Sequence, residues 1–354
     1  MSGPGIARPS WIAATLLRRG PARLRRVSSV VLATHALPEP SLSTLAPDHE
    51  VRVLGYAPTE LELAAEVAEA AALITLVSDP VTERVLDGGP LLKVVANYGV
   101  GVDNIDRAAA AARGITVTHT PGALTEATAD LTLALLLALT RRVIEGDRMV
   151  RSGRFAGWSP ELLLGTDLKG KVFGIVGPGR IGRAVARRAR AFGMTVIAAG
   201  HSPRDEADPD DPPRVSFEDL LRRSDVVSIH APLTLETRGL FGKDTFSRMK
   251  PGSFLLNTAR GPIVEESALA EALAAGHLAG AGLDVYENEP GITPALLDDD
   301  RVVLMPHAGS ATLETRREMA RMVVEDVRRV LAGEKPLRAV ASEAGARERV
   351  RSES

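Results

Sequence analysis

The sequence contains no cysteine among its 354 residues, which excludes disulfide bonds and thiolate chemistry and is typical of a reducing compartment. We therefore expect a cytoplasmic protein. The formal net charge is only −2, so no excess of positive charge indicates a nucleic-acid partner. The longest purely apolar run, Leu133–Leu139, is far too short to cross a bilayer, so we expect no membrane partner. We also expect no metal site. The 45% of hydrophobic residues is ordinary for a globular protein, and the length is typical of about two domains.

The two ends of the chain differ from the rest. Residues 1–26 contain no acid and hold closely spaced arginines and several prolines, a composition found in transit peptides and in disordered extensions. We predict a disordered extension or a start codon assigned too early. The residues after Pro336 are strongly charged, and we predict that residues 334–354 form a loose tail.

Between these ends, short apolar runs alternate with helical segments rich in Ala, Leu and Glu. Such alternation predicts parallel sheets with helices on both faces. A long helix is predicted at Thr125–Ser152 and a final amphipathic helix at Leu313–Leu331. The predicted strands of a first unit are Val27–Ala33, Val51–Leu54, Ala72–Val77, Leu92–Ala96 and Ile115–Thr118. Those of a second unit are Val172–Val176, Thr195–Ala199, Val226–His230, Ser253–Asn257, Gly282–Val285 and Val302–Met305.

The first strand of the second unit ends in a glycine-rich turn, GPGRIG at residues 177–182, and a helical stretch follows it. This G-x-G-x-x-G pattern between a strand and a helix is typical of dinucleotide binding. Gly177 allows the tight turn, Gly179 lets the backbone approach a pyrophosphate, and Gly182 lets the helix pack closely against the strand. Because the turn begins near residue 177, a whole domain must precede it.

The next predicted strand ends without the acid that an NAD site usually places there to bind the ribose hydroxyls. Gly200 occupies that position, and His201, Ser202 and Arg204 follow it with hydrogen-bond donors. A carboxylate there would repel a 2′-phosphate, whereas the Arg204 guanidinium suits one in both charge and geometry. We therefore predict NADPH in preference to NADH. The alternative is a polar loop with no part in cofactor selection, since two acids directly follow Arg204.

Three charged residues, Arg260, Glu289 and His307, follow predicted strands of the second unit. Ligands of open α/β sheets bind outside the carboxyl ends of the strands, so these side chains face the edge where the cofactor binds. Together they suit hydride transfer to a carbonyl beside a carboxylate. Arg260 can bind the carboxylate or polarise the carbonyl, His307 can donate the proton, and Glu289 can orient the imidazole. Taken singly, each has a structural alternative as a solvated loop arginine, a turn residue or a packed histidine.

A second glycine cluster, GVG at residues 99–101, follows a predicted strand of the first unit. Exposed backbone N–H groups in such a loop can hold a small anion, here the carboxylate of a substrate. The alternative is a tight turn before a helix that Asp103 or Asn104 caps.

Six short motifs stand in one order along the chain: GVGVDN at 99–104, GPGRIG at 177–182, APLT at 231–234, NTARG at 257–261, GLDVY at 282–286 and HAGSAT at 307–312. With these motifs the chain resembles the D-isomer-specific 2-hydroxyacid dehydrogenase family from Val27 to Pro336. The resemblance implies an α/β fold of two Rossmann-like, doubly wound parallel-sheet domains. A flavodoxin-like substrate domain would comprise residues 27–120 and 307–333, and a dinucleotide-binding domain residues 121–306.

The resemblance also implies roles for individual residues. Arg260, Glu289 and His307 would be the catalytic set, while the backbone N–H groups of Val100 and Gly101 would hold the substrate carboxylate beside Arg260. The cofactor contacts would be Gly177, Gly179, Arg180, Ile181, Gly182, His201, Ser202, Arg204, Pro232, Thr258, Ala259, Asp284, Gly309 and Ser310. Several of these, such as Thr258 and Asp284, could equally be cap or turn residues.

Within the family, the segments around Leu124–Asp130 and Phe155–Pro160 look like those of glyoxylate/hydroxypyruvate reductases. This implies a homodimer built through the long helix and the segment after it, with Trp158 reaching the partner's active site or packing in the interface. We expect NADPH-dependent reduction of glyoxylate, hydroxypyruvate and similar 2-keto acids to D-2-hydroxy acids. The alternatives are a reductase of a larger 2-keto acid, a phosphite dehydrogenase, or a non-catalytic NAD(P)-sensing corepressor, which would not need the complete catalytic set.

Overall fold

The computed structural model describes residues 29–200, 208 and 211–341. The predicted extension at 1–26 and the predicted cofactor contacts His201, Ser202 and Arg204 lie outside these residues. The strands are β1 (Val30–Ala33), β2 (Glu50–Val53), β3 (Ala70–Thr75), β4 (Val94–Asn97), β5 (Thr116–Thr118), β6 (Val172–Val176), β7 (Thr195–Ala199), β8 (Val226–Ile229), β9 (Ser253–Asn257), β10 (Leu278–Leu283) and β11 (Val302–Leu304). The α-helices are α1 (Glu60–Glu66), α2 (Glu83–Gly88), α3 (Arg107–Ala112), α4 (Thr125–Thr140), α5 (Val143–Arg151), α6 (Arg180–Ala191), α7 (Phe217–Arg223), α8 (Lys243–Arg248), α9 (Glu266–Ala274), α10 (Pro294–Leu297) and α11 (Leu313–Leu331).

The first five strands form a parallel sheet in the order β2-β1-β3-β4-β5, which is the flavodoxin-like order. The central strand β3 is buried along its whole length, as expected for a strand covered on both faces. Side chains of α1, α2 and α3 pack on one face, and those of α11 pack on the other. The last helix therefore returns to the first sheet, which periodicity alone could not establish.

The remaining six strands form a second parallel sheet in the order β11-β10-β9-β8-β6-β7. Helices α4 and α6 cover one face, and the apolar side chains of α7, α8, α9 and α10 cover the other. Arg214 adds a single parallel bridge beside Ala198 of β7, where the usual dinucleotide-binding order has a further strand. The two sheets confirm the predicted fold class, and the chain reverses direction across the second sheet between β6 and β8.

The long helix predicted at Thr125–Ser152 is wrong, because the structure has two helices there. Helix α4 ends at Thr140, and Arg142 takes a left-handed φ of 51° before α5 begins. The carbonyl of Thr140 accepts a hydrogen bond at 2.8 Å from the N–H of Thr166, and a Cβ on Gly165 would overlap that same carbonyl. The returning segment thus occupies the place of the next helical turn. An arginine gives no sequence signal for a left-handed break.

The predicted loose tail at residues 334–354 is wrong in part, because its first residues are bound to the rest of the fold. The N–H of Val340 donates to the carbonyl of Val117 at 2.8 Å, and Ala339 forms an antiparallel bridge with Thr118. The buried carboxylate of Asp326 accepts the N–H of Leu337 at 2.7 Å. These contacts hold residues 337–340 against β5 and α11, while residues 342–354 lie outside the described part.

Within the described ranges, no helix is both long and apolar enough to span a membrane. The same ranges contain no group of three or more potential metal-ligating side chains of His, Cys, Asp or Glu.

Candidate active site

A cavity of about 740 Å³ lies where the carboxyl ends of strands from both sheets meet. Residues of the first sheet's loops, of the glycine turn and of the loops after β9, β10 and β11 line it together. The predicted site residues that line the cavity are Val100, Gly101, Gly179, Arg180, Ile181, Pro232, Thr258, Ala259, Arg260, Asp284, Glu289, His307, Gly309 and Ser310.

The glycine turn brings the backbone of β6 to the cavity with no side chain in the way. Gly177 has a φ of +88°, and a Cβ there would lie 2.6 Å from the N of Ala231. A Cβ on Gly182 would lie 2.7 Å from the carbonyl oxygen of Gly177, so only glycine allows α6 to start this close to the strand. Gly179, the residue before α6, would direct a Cβ into open space. The N-terminus of α6 therefore faces the cavity with its N–H groups available to a phosphate.

Arg180 extends this phosphate-facing edge. Its side chain is exposed at the cavity wall and makes no hydrogen bond or ion pair within the described part of the chain. Together with the open backbone at Gly179, it fits the pyrophosphate of a dinucleotide.

His307 and Glu289 form a hydrogen-bonded pair that faces the cavity. The Nδ1 atom of His307 lies 3.0 Å from Oε2 of Glu289, and a carboxylate can only accept, so Nδ1 carries the proton. The other carboxylate oxygen of Glu289 accepts the N–H of Tyr286 at 3.0 Å. Burial opposes ionisation of Glu289, but the hydrogen bonds and the nearby positive charges outweigh it and lower the pKa of this carboxyl below its ordinary value. The arrangement leaves Nε2 of His307 to act toward a ligand.

Asp284 fixes the turn that carries His307. Its carbonyl accepts the N–H of His307 at 2.8 Å, and its two carboxylate oxygens accept the N–H groups of Ala308 at 2.6 Å and Gly309 at 2.8 Å. Burial raises the pKa of the Asp284 carboxyl, while the two N–H donors act in the opposite direction. His307 itself has a left-handed φ of 54°, so these bonds hold it in a backbone conformation that histidine rarely adopts.

Arg260 is placed by its neighbours on both sides of the cavity. Its Nε atom donates to Oδ1 of Asp103 at 3.0 Å, and Nη1 donates to the carbonyl of Ala259 at 2.7 Å. A Cβ on Gly101 would overlap Nη2 of Arg260, so the glycine makes room for the guanidinium beside the first-sheet loop. Nη2 makes no hydrogen bond to any described residue and is available to a substrate oxygen.

Several supporting residues escaped the sequence analysis. The buried side chain of Asn257 donates from Nδ2 to the carbonyl of Arg260 at 2.9 Å. From α4, Thr132 shares a hydrogen bond at 3.0 Å with the hydroxyl of Thr258, and Thr128 donates to the carbonyl of Gly309 at 3.2 Å. Asn257 belongs to the NTARG motif and Thr128 lies in the singled-out segment Leu124–Asp130, whereas Thr132 looks like an ordinary helix residue.

His230 also lines the cavity, at the end of β8. Its Nε2 lies 2.9 Å from the hydroxyl of Ser228, and burial lowers the pKa of His230 to about 3. This imidazole is therefore neutral at physiological pH and cannot supply a proton as an imidazolium does.

Four residues of the predicted features do not line the cavity: Gly177, Gly182, Trp158 and Gly200. Trp158 is 82% exposed and does not line it, so its predicted contact with a partner stays a prediction. Gly200 follows β7 with a φ of +139°, and a Cβ there would lie 3.2 Å from Cδ of Pro178, which disfavours a carboxylate side chain at this position.

The chain is similar to known 2-hydroxyacid dehydrogenases. The family model described as D-isomer specific 2-hydroxyacid dehydrogenase, NAD binding domain, matches residues 133–309. The chain is 45% identical to a glyoxylate reductase from Thermococcus litoralis over 86% of this chain and 95% of that relative.

Solved structures of known proteins resemble this chain over most of its length. A protein from Thermus thermophilus is 49% identical, with a TM-score of 0.83, and the match covers 88% of this chain and 100% of that one. The NADPH-dependent glyoxylate/hydroxypyruvate reductase from Sinorhizobium meliloti, solved with NADP and malonate, is 34% identical with a TM-score of 0.80. That match covers 89% of this chain and 97% of the other.

Proposed function

The chain belongs to the D-isomer-specific 2-hydroxyacid dehydrogenases, which are NAD(P)-dependent oxidoreductases, and from this premise we propose that it reduces glyoxylate and hydroxypyruvate with NADPH. The observation that carries the proposal is the His307–Glu289 pair, joined at 3.0 Å and facing the same cavity as Arg260 and the glycine turn. A proton donor, a carbonyl-polarising cation and a phosphate-binding turn are the three elements that this reduction requires.

The residues divide the work as follows. The backbone N–H groups of Val100 and Gly101 hold the substrate carboxylate, and Arg260, whose Nη2 lies beside Gly101, binds the carboxylate and the keto oxygen. When bound, the nicotinamide supplies the hydride that C2 of the keto acid accepts. His307 donates a proton from Nε2 to the keto oxygen as that oxygen gains negative charge. Glu289 stabilises the protonated ring before the transfer and orients it throughout.

Replacement of Glu289 by glutamine should shift the pH dependence of reduction. Reduction requires that His307 carry the proton that it donates to the keto oxygen. The Glu289 carboxylate, whose pKa is lowered, is charged throughout the neutral range and stabilises the imidazolium there. Without that charge we expect the alkaline limb of the kcat profile to move to lower pH.

The measurement for this prediction is kcat against pH from about 5 to 9, with His277→Ala as a control for an unrelated histidine. An unchanged alkaline limb in Glu289→Gln would mean that the pair does not tune the proton donor.

The relatives support the choice of substrates. The Thermococcus litoralis protein is a glyoxylate reductase, and the Sinorhizobium meliloti protein acts on glyoxylate and hydroxypyruvate. The experiment is a panel assayed at 340 nm: glyoxylate, hydroxypyruvate, pyruvate and longer 2-keto acids are each tested with NADPH and with NADH. Phosphite is tested in the oxidative direction with NADP+ and with NAD+. Within this panel we expect glyoxylate and hydroxypyruvate to have the largest kcat/KM. Preference for a longer keto acid or for phosphite would replace the substrate assignment, and cofactor binding without any turnover would favour a sensor.

The preference for NADPH rests on the end of β7. Gly200 offers no carboxylate to bind ribose hydroxyls or to repel a 2′-phosphate, and its left-handed φ disfavours any side chain. Arg204 follows four residues later in the sequence with the charge that a 2′-phosphate needs. The Sinorhizobium meliloti relative, which is NADPH-dependent, supports the same choice.

The variant Arg204→Glu should abolish this preference. Loss of a charge-assisted bond to the 2′-phosphate costs about 10- to 100-fold in KM for NADPH, while KM for NADH should change little. The exposed Arg223, which does not line the cavity, provides the matched charge reversal Arg223→Glu as a control. If Arg204→Glu keeps the original ratio of kcat/KM for the two cofactors, the assignment of Arg204 is wrong.

A division of labour between two domains belongs to the proposal. Residues 27–120 with 307–333 would form the substrate domain, and residues 121–306 the cofactor domain. The packing of α11 on the first sheet and of α4 on the second supports this division.

A homodimer is part of the same proposal, because exposed apolar side chains follow one another along α5 and the segment after it: Val143, Ile144, Val150, Phe155, Trp158 and Leu164. Sedimentation equilibrium tests the dimer directly.

A further inference from the structure

In the loop at residues 99–101, all three backbone carbonyls accept hydrogen bonds from other parts of the first domain. The carbonyl of Gly99 accepts the backbone N–H of Thr120 at 2.9 Å. The carbonyl of Val100 accepts Nδ1 of His119 at 2.9 Å, and the carbonyl of Gly101 accepts Nδ2 of Asn97 at 2.6 Å. The N–H groups of these three residues make no hydrogen bond within the described residues.

This pattern determines the direction of the N–H groups. In a trans peptide the C=O and the following N–H point in opposite directions, so binding one carbonyl orients the next N–H. Thr120 thereby orients the N–H of Val100, and His119 orients the N–H of Gly101. Val100 and Gly101 both line the cavity, and their N–H groups, unlike their carbonyl oxygens, are left without a partner among the described residues. Such free N–H groups can hold an anion.

From this geometry we infer that His119 is a positioning residue for the substrate carboxylate, acting through the Gly101 peptide. The inference rests on the proposed function, in which the Val100 and Gly101 N–H groups hold that carboxylate. The Val100 carbonyl can only accept, so Nδ1 of His119 is the donor. Among the described residues it is the only side chain that binds the Val100–Gly101 peptide, whereas a backbone N–H performs the same task for the Gly99–Val100 peptide.

His119 is itself held in place by the C-terminal segment. Its backbone N–H donates to the carbonyl of Arg338 at 3.3 Å, beside the bridge between Thr118 and Ala339. Val340, two residues further along, lines the same cavity. The C-terminal segment therefore holds the backbone of His119, and the Nδ1 atom of the ring bonds the loop that it orients.

The test compares three variants of the full chain. His119→Ala removes the donor and frees the Val100–Gly101 peptide to rotate. His119→Asn restores a donor, because the Asn amide nitrogen is as many bonds from Cα as Nδ1 of histidine. His277→Ala is the matched control, since its Nε2 bonds the carbonyl of Met249 at 3.0 Å outside the cavity.

Three quantities are measured for each variant: KM and kcat for hydroxypyruvate, the dissociation constant of oxamate from the NADP-loaded protein by calorimetry, and the melting temperature. Oxamate is a non-reducible carboxylate that resembles a 2-keto acid. In His119→Ala we expect KM and the oxamate constant to rise together about tenfold, as for a lost bond to a charged group. We expect kcat to change less than about threefold, and His119→Asn to recover most of the loss.

The outcomes separate this inference from the proposed function. Unchanged KM and oxamate binding in His119→Ala, or equal losses in the alanine and asparagine variants, would overturn the positioning role while the function stands. If the wild-type protein binds oxamate but reduces no keto acid, the proposed function fails, and the oxamate constants alone decide the role of His119. If it neither reduces keto acids nor binds oxamate, both are overturned.

Discussion

Replacement of His307 by alanine lowers kcat for hydroxypyruvate reduction by about 10³-fold, with a much smaller change in KM. The size follows from the loss of a positioned general acid, which contributes about 10²- to 10⁴-fold. The substrate carboxylate is held by other groups in the proposed mechanism, so its binding survives the substitution. The neutral His230 cannot replace the donor, because burial lowers its pKa to about 3.

Steady-state kinetics at 340 nm measure this effect, and calorimetric binding of NADPH shows that the cofactor site is intact. His307→Gln is a useful companion because it keeps a polar side chain without an imidazolium. His277→Ala again serves as the unrelated histidine, and it should match the wild-type kcat. A His307→Ala enzyme with normal kcat would show that the proton comes from elsewhere.

Replacement of Arg260 by alanine damages both catalysis and binding. We expect kcat to fall by about 10²- to 10³-fold, as when a donor to a developing oxyanion is removed. Since the same guanidinium contacts the substrate carboxylate, KM should also rise by about tenfold. Its position supports both roles, because Nη2 packs against Gly101 while Nε donates to Asp103 at 3.0 Å.

Two further variants separate charge from geometry at this residue. Arg260→Lys keeps the charge but loses the fork, and we expect it to recover only a small part of kcat. Asp103→Asn keeps an acceptor for Nε of Arg260. Because the ion pair is partly exposed, kcat should fall about fivefold or less. If Arg260→Ala raises KM and leaves kcat unchanged, the guanidinium binds substrate without stabilising the transition state.

Sequence alone sufficed where a local pattern has one structural meaning. The glycine turn at residues 177–182 predicted the open N-terminus of α6, because close backbone contacts permit nothing larger than glycine at two of its positions. Continuous apolar runs predicted parallel strands buried on both faces. The charged residues after β9, β10 and β11 were predicted at one edge, since parallel strands end together there.

The rest depended on contacts between residues far apart in sequence. The break at Arg142 arises from a returning segment at residues 165–166, which no local pattern in α4 reveals. The pairing of Ala339 with Thr118 joins segments more than two hundred positions apart. His119 and Asn97 carry no motif for binding carbonyls, and their part in orienting the loop is visible only once the loop is folded. The single bridge at Arg214 is too short to appear as an apolar run.

We propose that Arg260, the Gly101 loop and His307 bind one 2-keto acid at three points and so present one face of its carbonyl to the hydride. Hydroxypyruvate tests this three-point binding directly, because its reduction creates a stereocentre. The measurement is the configuration of the glycerate formed with NADPH, determined by chiral chromatography. We expect D-glycerate as the sole product. Formation of L-glycerate or of a racemate, or no turnover by a protein that binds NADPH, would contradict it.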